Sequence, residues 1–143
     1  MKLSLIKCKK KLTILWFSCG GIIIILLFCQ TILGHYESES TLAWGWALPT
    51  IMPTLSLIIG VMVSDTLTKQ KSNKKKIDSF IYHLAICLSI IYLLCVLFTI
   101  LLEPFSERTP SEVFMSASLW LGPFQGLVTA ALGAFFVRDT SVK

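Results

Sequence analysis

At 143 residues the chain has room for one domain, yet 55% of it is hydrophobic and only 15% is charged, a composition foreign to a water-soluble fold. Its net charge of +5 comes from lysines gathered in a few runs. Neither run is interleaved with aromatics or carried on a folded module, which argues against a nucleic-acid partner.

Four apolar stretches, residues 12–34, 43–64, 80–102 and 117–137, contain no Asp, Glu, Lys or Arg. Each is long enough, at 1.5 Å of rise per residue, to cover a hydrocarbon core about 30 Å thick. Within lipid such segments must be helical, because a helix satisfies its own backbone groups. The expected fold is therefore all-α: a polytopic membrane protein whose single domain, 1–143, is a four-helix transmembrane bundle.

The flanking charges are strongly asymmetric. Residues 1–11, the stretch between the second and third spans, and the C-terminal tail hold all but Arg108 of the 13 basic residues. The other two loops carry Glu37, Glu39, Glu103, Glu107 and Glu112. The excess of Lys and Arg on one side predicts both termini and the middle loop in the cytoplasm, N-in/C-in, across a plasma (inner) membrane.

In chain order, the basic tail orients the first span. Lys9, Lys10 and Lys11, with Lys74, Lys75 and Lys76 of the middle loop, are candidates for contact with anionic lipid, worth about 1 kcal/mol each near the surface. The first apolar run exceeds a signal peptide's h-region of about 7–15 residues, so this helix is expected to be retained. Gln30 is its only strongly polar side chain, placed where it would snorkel to water. The loop after it, with His35, Glu37 and Glu39, reads as a solvated acidic loop rather than a metal site. Trp44 and Trp46 mark a membrane interface.

In the second span Pro49, Pro53, Ser56, Gly60 and Ser64 follow at helical intervals and share one face. Each proline removes a donor and frees a carbonyl one turn earlier, and that carbonyl cannot face lipid. Thr50 and Thr54 stand beside the prolines and are placed to re-satisfy the backbone. The face predicts a kink packed through small residues, or one wall of a water path.

On the third span Tyr82, Ala85, Ser89, Tyr92, Val96 and Thr99 form the most polar stripe, which should face the bundle interior. His83, near Tyr82 and Asp78, reads as an interfacial histidine. The stretch from Ser111 to Ser118 either begins the fourth helix early or lies along the surface. On the fourth span Gly122, Gly126, Ala130 and Ala134 recur every four residues, a row that permits close helix contact within the chain or between copies. Gln125, Thr129 and Gly133 form a second row beside it.

No nucleotide loop, zinc motif or nucleophile elbow is present, and the spans hold no intramembrane carboxylate. The five cysteines, Cys8, Cys19, Cys29, Cys87 and Cys95, include no C-x-x-C and read as apolar thiols without a disulfide framework. No enzyme activity and no cofactor are expected. The partners expected are the lipid bilayer, further copies of the chain, and a cytoplasmic or membrane regulator. These features predict a homo-oligomeric pore or membrane-permeabilising effector. The competing expectation is a non-conducting anchor or assembly subunit of a larger complex.

Overall fold

The computed structural model describes residues 2–36, 39–67 and 76–137. Their order is β1 (Lys2–Ser4), α1 (Leu5–Ile32), α2 (Ser40–Leu67), β2 (Lys76–Asp78), α3 (Ser79–Leu102), a 3-10 turn (Glu103–Phe105) and α4 (Pro110–Val137). Four helical stretches of 25 or 27 residues, the third running on from α3 through the 3-10 turn to Phe105, are long and apolar enough to cross a membrane. That is about 40 Å of helix, more than the hydrocarbon core alone requires.

The extra length has local causes. α1 begins ahead of the apolar run because lysine is a good helix former, so Lys7 to Lys11 continue the helix into the polar zone. α4 begins at Pro110, whose fixed φ and missing N–H suit a first helical position. Thr109 caps it, its Oγ1 accepting the Glu112 N–H at 3.4 Å, and the Glu39 carboxylate accepts the Ser111 N–H at 3.0 Å. The 111–118 stretch is thus the first part of the last helix.

β1 and β2 add a small element that helical periodicity does not announce. They pair antiparallel, with Lys2 opposite Asp78, Leu3 opposite Ile77 and Ser4 opposite Lys76. The pairing supplies backbone partners to two segments that precede helices and have none of their own. It sets the starts of α1 and α3 side by side, so these two helices run parallel. At the far end the Glu39–Ser111 contact does the same for α2 and α4. Around the bundle, α1 packs on α2 and α3, and α4 packs on the same two helices.

The interior is filled. Trp16, Tyr36, Tyr92, Phe135 and Phe136 are among the largest wholly buried side chains, with Ile23, Ile51, Ile58 and Leu132 between them. The α3 stripe faces inward as expected: Tyr82, Ala85, Ser89, Tyr92 and Val96 are buried. Outside, Ile14, Ile25, Phe28, Phe80, Phe98 and Leu119 form part of an apolar girdle, at home only against lipid or another helix.

Candidate functional site

Neither small-residue row packs inside the chain. Pro49, Pro53, Ser56, Gly60 and Ser64 are all exposed, and so are Gly122, Gly126, Ala130 and Ala134. A Cβ added at Gly60, Gly122 or Gly126 would meet nothing within 4 Å. Gly20 behaves differently. A Cβ there would lie 3.5 Å from Ile51 and 3.6 Å from Leu55, so it marks a close approach of α1 to α2.

That approach fixes the rotation of α2. With Thr54 buried at its centre, Ile51 and Leu55 form the flank toward α1. Each residue turns the helix by about 100°, which carries Pro53, Gly60 and Ser64 to the opposite flank, toward α4. On α4, Phe124 meets the Tyr92 ring of α3, with centroids 5.6 Å apart. Gly122 and Gly126 consequently turn toward the α2 side. Pro53, Gly60 and Ser64 of one row and Gly122 and Gly126 of the other, read separately in the sequence, thus border one outward seam between parallel neighbours.

Gln125 closes that seam from inside. Its Nε2 donates to the Pro49 carbonyl at 3.1 Å and to the Thr50 carbonyl at 3.1 Å. Pro53 has no N–H to offer Pro49 one turn back, so the side chain on α4 replaces the missing donor. Tyr92 of α3 adds its hydroxyl to the Thr50 carbonyl at 2.9 Å. The threonines divide: Thr50 Oγ1 donates to the Trp46 carbonyl at 2.6 Å, whereas the wholly buried Thr54 hydroxyl has no hydrogen-bond partner among the described residues. Sequence reasoning singled out the prolines and missed their partner. The available signal was Gln125 itself, the one amide side chain in the fourth span.

The same device recurs where α1 and α3 end. Pro104 cannot donate to the Ile100 carbonyl, and Gln30 of α1 does so instead at 3.1 Å. Gln30 therefore does not snorkel to water, since a freed carbonyl holds it. Its Oε1 accepts the Tyr36 hydroxyl at 2.7 Å. Beside it His35 Nε2 lies 2.7 Å from the carboxylate of Glu103, which is only 3% exposed. Burial first, and then the Glu103 carboxylate, push the Tyr36 phenol above the usual tyrosine range. Among the described residues no three His, Cys, Asp or Glu gather to hold a metal ion. Glu37 lies outside the described residues.

Deeper in the bundle Trp16 donates from Nε1 to Ser89 Oγ at 3.0 Å, both wholly buried. His83 is exposed and bonds back to Ser79 in its own helix. Of the lysines, Lys10 and Lys11 are exposed, but Lys9 is buried, its Nζ 5.8 Å from the centre of the Phe136 ring. Lys9 thus turns into the bundle end instead of toward headgroups. Lys74 and Lys75 lie outside the described residues; Lys76 lies in β2, and its side chain is not described.

Comparison of the chain with protein-family models, with curated proteins and with solved structures gives no match.

Proposed function

We propose that the chain is a multi-pass protein of the plasma (inner) membrane, both termini cytoplasmic, that self-associates through the α2–α4 seam into a ring of copies forming a pore. In this role it permeabilises the membrane as an effector under the control of a cytoplasmic or membrane regulator. The observation that carries the reading is that Gly60 of one row and Gly122 and Gly126 of the other are exposed on a filled bundle, each with open space where a Cβ would stand. Small-residue rows favour close backbone contact between helices in lipid. Since the single bundle is filled, a conducting path has to form between copies, with cyclic symmetry as the default. The α4 row would pack on the neighbour, and Ser56, Gly60 and Ser64 of α2 would turn to the axis. With acidic groups at the non-cytoplasmic end, such a path favours cations.

The anchor reading uses the same face for a larger membrane partner. It draws support from the seam itself, because Gln125 already satisfies the carbonyl that Pro53 frees. α2 then has no need of water along it. The mass of the purified complex in detergent and planar-bilayer recording separate the two. A ring of copies with conductance, both abolished by Gly126→Leu, supports the pore. A 16.0 kDa monomer that copurifies with a larger protein and never conducts refutes it.

A further inference from the structure

α3 and α4 leave a groove of about 500 Å³ between them at the end where the 3-10 turn joins them. Its walls are Phe98, Leu102, Val113 and Trp120, and Thr99 and Ser116 also line it. It extends from Arg108 down to Cys95, and Cys95 lies about 10 Å along the helix from Leu102. The large side chains on its rim are open to the outside: Phe98 is 50% exposed, Leu102 58% and Trp120 47%.

Arg108 lines the mouth. Its backbone N–H bonds to Ser106 Oγ, but its guanidinium has no ion pair or hydrogen bond among the described residues. Glu103 also lines the groove, buried and with its carboxylate 2.7 Å from His35 Nε2. Every other charged side chain of the two loops at this end is a carboxylate.

We propose that this groove binds a glycerophospholipid, one acyl chain lying along Phe98, Leu102 and Trp120 while the phosphodiester meets Arg108. The charge arrangement selects this occupant. A free anion would meet a loop region rich in carboxylates with a single cation to hold it. A phosphate tethered to an acyl chain is delivered to that cation by burial of apolar surface, and the planar guanidinium suits two phosphate oxygens at once. A chain without the phosphate would fill the walls and leave Arg108 unpaired. The inference rests on the four helices spanning a membrane and is independent of whether copies assemble or conduct.

The test is native mass spectrometry of the full chain in mild detergent, titrated separately with dioleoylphosphatidylglycerol, dioleoylglycerol and inorganic phosphate. The wild type should retain the phospholipid through delipidation. Arg108→Gln, at an exposed position and with an unchanged thermal midpoint, should weaken it about tenfold, the loss of one charge-assisted contact. The same change should leave dioleoylglycerol binding unaltered. Ser116→Phe, which fills the groove from an exposed position, should remove both lipids. Equal retention of phospholipid by wild type and Arg108→Gln overturns the proposal, as does retention by Ser116→Phe. Competition by millimolar inorganic phosphate would show a free-anion site and overturn it too.

Discussion

If Gln125 stands in for the donor that Pro53 lacks, restoring that donor should make Gln125 dispensable. Gln125→Leu keeps roughly the same bulk and removes both N–H groups, so it deletes the bonds to the Pro49 and Thr50 carbonyls. Interhelical hydrogen bonds in membrane bundles average about 0.6 kcal/mol and reach about 1.7 kcal/mol, so the pair is worth about 1–3 kcal/mol. In a Pro53→Ala background residue 53 regains its N–H and can close the ordinary helical bond to Pro49. Pro53 is exposed, so the change removes little packing. Gln125→Leu then loses only the bond to Thr50, which Tyr92 still serves. Its cost should fall by about 1 kcal/mol, and that difference is the coupling energy of the cycle. The four variants can be compared by reversible unfolding in mixed detergent and dodecyl sulfate, followed by tryptophan fluorescence. If Gln125→Leu costs the same in both backgrounds, Gln125 is not replacing the proline's donor and the structural account of the seam is wrong.

Ser89→Ala should cost about 1–3 kcal/mol in the same assay, because it strands the wholly buried Trp16 Nε1–H; an unchanged midpoint would show that bond to be idle. Gly126→Leu should leave unfolding of the single chain within about 0.5 kcal/mol of wild type while abolishing assembly. Gly20→Leu should destabilise the chain itself by about 1–3 kcal/mol through overpacking on Ile51 and Leu55, and the reverse pattern would mean that the outward and inward faces have been exchanged. Tyr36 has a phenol pKa raised in the folded chain, so its contribution is complete below the unfolded value of about 10 and is lost as pH rises above it. Unfolding midpoints from about pH 8 to about pH 11 should therefore fall more for wild type than for Tyr36→Phe; parallel curves would refute the shift.

The four helices were legible because lipid imposes a simple demand, some twenty apolar residues each. Their ends were not, since apolarity marks the hydrocarbon rather than the helix. Lys7 to Lys11 and Pro110 to Ser116 are helical beyond it. The start of α4 had left a signal in Thr109-Pro110-Ser111-Glu112, a cap spacing, although the apolar run begins only at Ala117. The inward stripe of α3 was legible because Tyr82, Ser89 and Tyr92 are polar enough to mark a face that lipid will not accept. For Gly122 and Gly126 the periodicity was plain and the direction was not. Inside and outside of a membrane bundle are equally apolar, so a row of glycines carries no sign of which side it takes. Gln30 and Gln125 were seen as isolated amides because their acceptors are carbonyls freed by prolines on other helices, a relation that exists only after folding.

Lipid removes the hydrophobic drive that would hold these helices together in water, so their polar ties have to come from the few polar groups present. Each helix is tied at least once: α1 to α3 by Trp16 and Ser89 and by Gln30, α3 to α2 by Tyr92, α4 to α2 by Gln125, and α1 to α2 by the Thr13 hydroxyl on the Met62 sulfur. Two of these ties, those of Gln125 and Gln30, meet a carbonyl left open by a proline, Pro53 within α2 and Pro104 in the turn after α3. Pro53 and Pro104 thus each free a carbonyl one turn back, and that carbonyl is met from within the chain. Along the row from Gly122 to Ala134 itself α4 presents only glycine and alanine side chains, without a donor or acceptor beyond the backbone. A contact made through Gly122 and Gly126 has to be a contact of backbone on backbone. Its strength should follow the volume of the residue placed at those positions rather than its polarity, with serine tolerated before valine and valine before leucine.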